Sequence, residues 1–178
     1  MVKLLEEFEK SVKNNLGDIL EIGAGHGDTT VHLANLGIKY NRKVFVIDPF
    51  EDGWDEMPDS YGRPYPYITF KKRVLDRYNN VILIKKFSND PTLVDELKKS
   101  ISLAFVDGLQ YEENVVEDLN LMQSLEASVV YIDDFVRNTS VSQVKQGIDK
   151  FLPGSKYKLS MTINHFVRNT VVAILEIK

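Results

Sequence analysis

Apolar residues recur along the chain in two rhythms. Leu4, Leu5, Phe8 and Val12 fall at i, i+1, i+4 and i+8 among Lys and Glu, which predicts an amphipathic helix over residues 1–16, with its apolar stripe as a docking surface. Asp18 to Ile22 is then a short apolar run cut by a glycine-rich turn, and Thr30 to Leu36 returns to helical spacing, so this segment reads strand, turn, helix. β-Branched runs follow at Lys43–Asp48, Val81–Lys85, Ser102–Asp107 and Ser128–Asp133. Helical stretches separate them at Phe70–Tyr78, Thr92–Lys99, Glu113–Leu125 and Val141–Phe151. Lys156–Ile163 and Thr170–Ile177 are two strand-like runs with no room for a helix between them.

Strands alternating with helices imply right-handed crossovers and a parallel sheet covered on both faces. The expected fold is therefore α/β: a doubly wound, Rossmann-like, mostly parallel sheet with an antiparallel C-terminal strand pair at one edge. A chain of 178 residues, 43% hydrophobic, can bury one proper core, so a single domain over residues 1–178 is expected. Residues 51–79 read as a variable insertion on the substrate side. Its irregular part, Glu51 to Tyr67, holds the only Trp (Trp54), three Pro and the tyrosines Tyr61, Tyr65 and Tyr67, and loops this long in compact domains usually carry function. The pentapeptide Phe-Val-Arg-Asn-Thr occurs at 135–139 and again at 166–170, with no surrounding period, and reads as coincidence.

Composition narrows the chemistry. No window approaches eighteen apolar residues and the N-terminus carries acids, which predicts a soluble, cytoplasmic protein without a membrane partner. The absence of cysteine removes disulfides and thiolate chemistry, and the scattered His26, His32 and His165 form no spaced metal motif, so a metal here needs oxygen ligands. A net charge of −4 weighs against a nucleic-acid partner, which would demand a surplus of Lys and Arg.

In a doubly wound sheet the first strand-to-helix turn is where a cofactor meets the backbone. Gly23, Gly25 and Gly27 stand in that turn, where close approach and positive φ favour glycine, and Asp28 or Thr29 can cap the next helix. A dinucleotide fingerprint would have glycine at position 28, which is Asp here, and Glu21 precedes the turn. An acid so placed suits an ammonium better than a pyrophosphate. Asp48, after the second strand, stands where an acid accepts hydrogen bonds from a ribose diol.

The run Leu20-Glu21-Ile22-Gly23-Ala24-Gly25-His26-Gly27 resembles motif I of class I S-adenosylmethionine-dependent methyltransferases. Downstream, the chain looks like the macrocin O-methyltransferase and cephalosporin hydroxylase-like group. There strand two ends in D-x-F-E-G (here Asp48-Pro49-Phe50-Glu51-Asp52-Gly53, one residue longer), and strand four in D-G then D-L (here Asp107-Gly108 and Asp118-Leu119). Strand five there ends in paired acids (here Asp133-Asp134). The likeness runs from about Asp18 to Phe151. Many relatives have His where Gln110 stands, and larger members carry an N-terminal extension ahead of the part that the likeness covers.

This resemblance implies S-adenosyl-L-methionine as cofactor, bound through Glu21, Gly23, Gly25, Gly27, Asp28, Asp48, Phe50, Phe87, Ser88 and Asp107. Phe87 either stacks on the adenine or packs in the core. Asp107, Asp133 and Asp134 are expected at one carboxyl edge of the sheet, where carboxylates repel unless a cation bridges them; oxygen ligands suit Mg²⁺ or Mn²⁺. The alternative is that some of them cap turns or pair with Arg137 or Lys145. By resemblance the metal would hold an acceptor hydroxyl, with Asp107 or Asp133 taking its proton.

The reaction expected is O-methylation of a hydroxylated small molecule; a homodimer is compatible with it. Two other readings keep the fold: a cofactor-binding protein without methyl transfer, and a nicotinamide-dependent oxidoreductase. Methylation of protein or nucleic acid would call for an Asn/Asp-Pro-Pro-aromatic motif after strand four, where the chain has Asp-Gly-Leu-Gln.

Overall fold

The computed structural model describes residues 2–50, 66–97, 100–137, 140–165 and 170–178. In chain order the helices are α1 (Val2–Asn14), α2 (Asp28–Tyr40), α3 (Pro66–Phe70), α4 (Leu93–Glu96), α5 (Glu112–Ser124) and α6 (Gln143–Phe151). The strands are β1 (Asp18–Ile22), β2 (Val44–Ile47), β3 (Val81–Ile84), β4 (Ile101–Val106), β5 (Val129–Arg137), β6 (Ser140–Val141), β7 (Tyr157–His165) and β8 (Thr170–Ile177). The sheet runs β3-β2-β1-β4-β5-β8-β7, with the two-residue β6 beside β5. Strands β1 to β5 pair in parallel, and β8 is antiparallel to both β5 and β7, as the two uninterrupted C-terminal runs require.

Side-chain alternation divides the core between two layers. Leu20, Ile22, Ala104, Val106, Val130 and Ile132 face one way and pack with Leu93, Leu119, Met122 and Ile148 of α4, α5 and α6. Ile19, Val44, Val46, Leu103 and Phe105 face the other way, toward Leu33 of α2 and Phe70 and Val74 beyond it. The stripe of α1 docks on this second face: Leu4, Phe8 and Val12 are buried, Phe8 meets Phe105 and Tyr131 edge-on, and the Tyr131 hydroxyl donates to the Glu7 carbonyl at 2.9 Å.

Three elements depart from the sequence expectation. Helix α4 is a single turn instead of the span Thr92–Lys99. Helix α3 begins at Pro66 and runs into a π-helical turn, Lys71–Leu75, that carries the buried Val74. Strand β5 does not end at Asp133. Its register with β8 jumps from Ile132↔Ala173 to Val136↔Val171, a bulge holding Asp133, Asp134 and Phe135, and the strand resumes to Arg137. Arg137 pairs with Thr170, so the two Phe-Val-Arg-Asn-Thr copies meet in the sheet at their described ends; residues 138–139 and 166–169 lie outside the described residues. The same holds for Glu51 to Tyr65, including Trp54.

Helices α5 and α6 pack through Gly147, where a Cβ would lie 2.8 Å from the Glu112 carbonyl oxygen and from the Val115 Cβ. Alanine gains up to about 1 kcal/mol in helix propensity, but overpacking costs about 1–3 kcal/mol. Gly147→Ala should therefore lower the thermal midpoint. Gly154→Ala, with nothing within 4 Å of its Cβ, should leave the midpoint unchanged or raise it. Equal midpoints in thermal denaturation would mean that the helix pair yields without cost.

Candidate functional site

The direction of the crossovers reverses between the adjacent strands β1 and β4, and the turn after β1 opens at that switch point. Its three glycines serve different ends. Gly23 has φ 79°, and a Cβ there would sit 2.2 Å from the Asp107 carbonyl oxygen, so the closeness of β4 demands glycine. At Gly27, φ 80°, a Cβ would meet Val74 at 2.7 Å and Phe70 at 3.1 Å. Gly25 differs: at φ 49° its Cβ would find no atom within 4 Å, and the residue lines a cavity.

Asp48 clamps the turn. Parallel pairing of Ile22 with Ile47 brings Asp48 level with Gly23. Its Oδ2 accepts from the Ala24 and Gly25 N–H groups at 2.8 and 3.2 Å, and its Oδ1 accepts from the Phe50 N–H at 3.0 Å. Phe50 is thereby held at φ 41°, a costly value for a bulky side chain, with its ring against Tyr67 and Phe70 at 5.3 and 5.1 Å.

The cavity beside this turn has a volume of about 380 Å³ and runs along the carboxyl ends of β1 to β4. Gly23, Gly25, Asp48, Phe50, Phe87, Ser88 and Asp107, all named from sequence, line it. Phe87 is 45% exposed, which excludes the core-packing alternative. Helix α5 closes one wall with Asn114, Glu117 and Asp118. A second cavity shares Gly108 and Leu109 with the first and continues to Gln110, Asp134 and Ser142.

Three residues of the expected cofactor set line neither cavity: Glu21, Asp28 and Gly27, whose Cβ position faces Val74 and Phe70. Glu21 is 1% exposed, and its Oε2 accepts from the Thr30 hydroxyl at 2.6 Å. Burial pushes its carboxyl up to about 8, with Asp107 and Asp48 adding and the Thr30 hydrogen bond opposing. Its proton is held more tightly than that of an exposed carboxyl, and its partner in the fold is Thr30. Asp28 does not cap α2, whose N-cap is Gly27 with no side-chain bond; it stands in the first helical turn and pairs with Arg73 at 2.7 Å. Arg73 also donates to the His26 carbonyl at 3.3 Å, tying the π-helical turn to the glycine turn.

The three-acid metal set is not assembled. Asp107 lines the first cavity, Asp134 the second, and Asp133 neither. The reason is the bulge. Successive residues of a strand alternate faces, and Asp134, held left-handed at φ 54°, turns into the cavity beside α5 and α6, where the Gln110 amide donates to its Oδ2. Asp133 Oδ1 accepts from the Asp134 N–H at 2.9 Å. Among the described residues no three Asp, Glu or His side chains are grouped to hold a metal ion, so the Mg²⁺ or Mn²⁺ site expected from sequence is corrected. Lys145, the alternative partner for these acids, pairs with Asp149.

One lining residue was missed as a site. Asp118, which the sequence offers only as part of a D-L pair, is 2% exposed, and its Oδ1 has no hydrogen-bond partner among the described residues. Burial lifts its carboxyl to about 7, against the Ser88 hydrogen bond, with Glu117 adding. The signal was available: Val115, Asp118, Leu119 and Met122 share the buried face of α5, an apolar stripe interrupted by one acid.

No family model matches the chain, and no curated protein matches it. Solved structures do. The TDP-rhamnose 3′-O-methyltransferase CalS11 of calicheamicin biosynthesis aligns with a TM-score of 0.65 and 16% identity over 97% of this chain and 77% of that one. The ribosomal protein L11 methylase of Lactobacillus delbrueckii subsp. bulgaricus aligns at 0.63 and 13% over 99% and 78%. OxaC, solved with SAH and oxaline, aligns at 0.61 and 12% over 98% and 46%. At these identities the likeness is one of fold: a Rossmann-like architecture that methyltransferases use. Among the described residues no helix is long and apolar enough to cross a membrane.

Glu21 generates a pH prediction. The folded protein keeps the Glu21 proton up to about pH 8, whereas an exposed glutamate carboxyl loses it near 4.5, so the folded state binds more protons between these values and its stability falls as pH rises through them. Glu21→Gln keeps an acceptor for Thr30 and removes the ionisation. It should flatten the decline, leaving the smaller slope from Asp118, and exceed the parent in denaturant midpoint at about pH 9. Parallel pH profiles for the two proteins would contradict this account of Glu21.

Proposed function

We propose that this protein is an S-adenosylmethionine-dependent methyltransferase acting on a hydroxyl group of a small molecule. The observation that carries the cofactor half of this reading is the start of α2. Dinucleotide-binding sheets seat a pyrophosphate on that helix N-terminus, but here the first turn holds the carboxylate of Asp28, paired with Arg73. The helix start is thus occupied by a side-chain ion pair of its own. This speaks against a nicotinamide cofactor and suits a ligand that approaches the turn without a pyrophosphate.

The cavity fits such a ligand. Gly25 offers a face that a side chain would fill, Asp48 holds the turn in shape, and Phe50, Phe87 and Ser88 line the remainder. S-adenosylmethionine supplies a methyl group on an already activated sulfonium, so the chain's own task is to align a nucleophile and accept its proton. Asp107, at the end of β4 and on the cavity wall, is the carboxylate we assign to the proton. The second cavity, which shares the lining residues Gly108 and Leu109 with the first, is the acceptor side in this reading, with Asp134 oriented by Gln110 as a contact for the acceptor. No step is assigned to Asp133 or to a metal. A small acceptor is supported by the net charge of −4 and by Asp-Gly-Leu-Gln after β4, in place of the proline motif of amino-directed enzymes. The neighbouring folds include a sugar and a protein methylase, so the fold does not choose the acceptor.

Isothermal calorimetry with S-adenosylhomocysteine should show saturable 1:1 binding, while NADH fluorescence should not change. Gly25→Asn, a residue type that tolerates positive φ, should fold normally and weaken the binding at least tenfold, because its side chain enters the cavity. Absence of binding by the parent chain would end the methyltransferase reading.

Once an acceptor is found, Asp107→Asn should lower kcat by about 10²–10⁴-fold. Asp134→Asn should act mainly on the acceptor KM. Unchanged kcat in Asp107→Asn would remove the proton-accepting role.

A further inference from the structure

One element touches the glycine turn from outside the cavity. Helix α3 and the π-helical turn that follows it, residues 66–75, line neither cavity, yet they meet both chain segments that shape the first one. On the β2 side, Tyr67 and Phe70 pack on the ring of Phe50, a lining residue. On the β1 side, Phe70 and Val74 fill the space over Gly27. Arg73 reaches the residues that flank that glycine, Asp28 Oδ1 at 2.7 Å and the His26 carbonyl at 3.3 Å.

The π turn is marked by the Asp76 N–H, which donates to the Lys71 carbonyl at 2.9 Å, five residues back where an α-helix would reach four. Such turns are rare and recur at functional positions. This one sets the buried Val74 beside Arg73. Both contacts of Arg73 are made by one nitrogen, Nη1, whose two protons can serve a carboxylate and a carbonyl together. The glycine turn is therefore held at two places. Asp48 takes its front, at Ala24 and Gly25, and Arg73 takes its rear, at His26 and Asp28. Gly25, the residue that opens onto the cavity, lies between the two holds.

We infer that Arg73 is a positioning residue for the cofactor: from outside the cavity it latches the rear of the glycine turn in its binding shape, and cofactor affinity depends on that latch. The cofactor half of this inference rests on the methyltransferase reading above; the hold on the turn does not. Preorganisation sets the size of the effect. When only a fraction of molecules has the turn in shape, the apparent dissociation constant rises by the inverse of that fraction. The paired side chains are 39% and 47% exposed, and an ion pair so exposed is weak. Loss of the latch should therefore weaken binding by about three- to tenfold without abolishing it.

The test has two arms, both on the full chain. Amide hydrogen exchange without ligand reads the turn: residues 24–28 should exchange faster in Arg73→Ala than in the parent. Calorimetry with S-adenosylhomocysteine reads the ligand: Arg73→Ala and Asp28→Ala should each weaken binding, the double variant should bind no more weakly than Arg73→Ala, and Arg73→Lys should recover part of the loss. This ligand has no net charge of its own, and a mere field effect would move Arg73→Ala and Asp28→Ala in opposite directions, which would overturn the assignment. Faster exchange with unchanged affinity would make Arg73 structural only and would overturn it too, leaving the cofactor reading in place. A parent chain that binds no S-adenosylhomocysteine would overturn both. Should Arg73→Ala not fold, Arg73→Gln, which keeps an N–H donor without the charge, decides in its place.

Discussion

The hydrogen bonds from Asp48 to the turn after β1 are the constraint on which the candidate site depends. Backbone N–H groups in a tight turn must find partners; two of them, at Ala24 and Gly25, converge on one carboxylate together with the N–H of Phe50 after β2. Parallel register supplies that carboxylate: the pairing of Ile22 with Ile47 places the end of β2 beside the end of β1. The turn then presents Gly25 to open space, while Gly23 and Gly27 are locked against β4 and the π-helical turn. Asp48, read from sequence as a ribose acceptor, has both carboxylate oxygens engaged by the protein. Any hydrogen bond it makes to a ligand adds to a clamp already in place.

Charge is arranged around this clamp by burial. Glu21 and Asp118 are acids inside the protein whose carboxyls are pushed up to about 8 and about 7, in each case chiefly because the charged form is poorly solvated there. The two differ in what they face. Glu21 turns to Thr30 across the β1–α2 layer and holds the helix to the strand. Asp118 belongs to the wall of the cavity, and its buried Oδ1 has no hydrogen-bond partner among the described residues.

Much of the fold was legible because its signals are local. Alternating strand and helix periods gave the parallel order, and the absence of helix length between residues 163 and 170 gave the antiparallel pair. Gly23, Gly25, Asp48, Phe50, Phe87, Ser88 and Asp107 were found from sequence because they stand at strand ends, and strand ends in this topology share one edge. The acids at 133 and 134 misled for a related reason. They look like a strand end, but the chain bulges there and continues to Arg137, so the two side chains part.

The sequence by itself determined the architecture, the glycine turn after β1 and the absence of thiolates, since those follow from periodicity, spacing and residue type. Only the tertiary structure decided which way the carboxyls turn. Glu21 faces Thr30 instead of the cavity, Asp133 and Asp134 diverge at a bulge, and Asp118 joins the cavity wall from a helix nearly a hundred residues after the turn. Side-chain direction in a strand or a buried helix face is set by register and by what packs against it, and both are made by segments far apart in the chain.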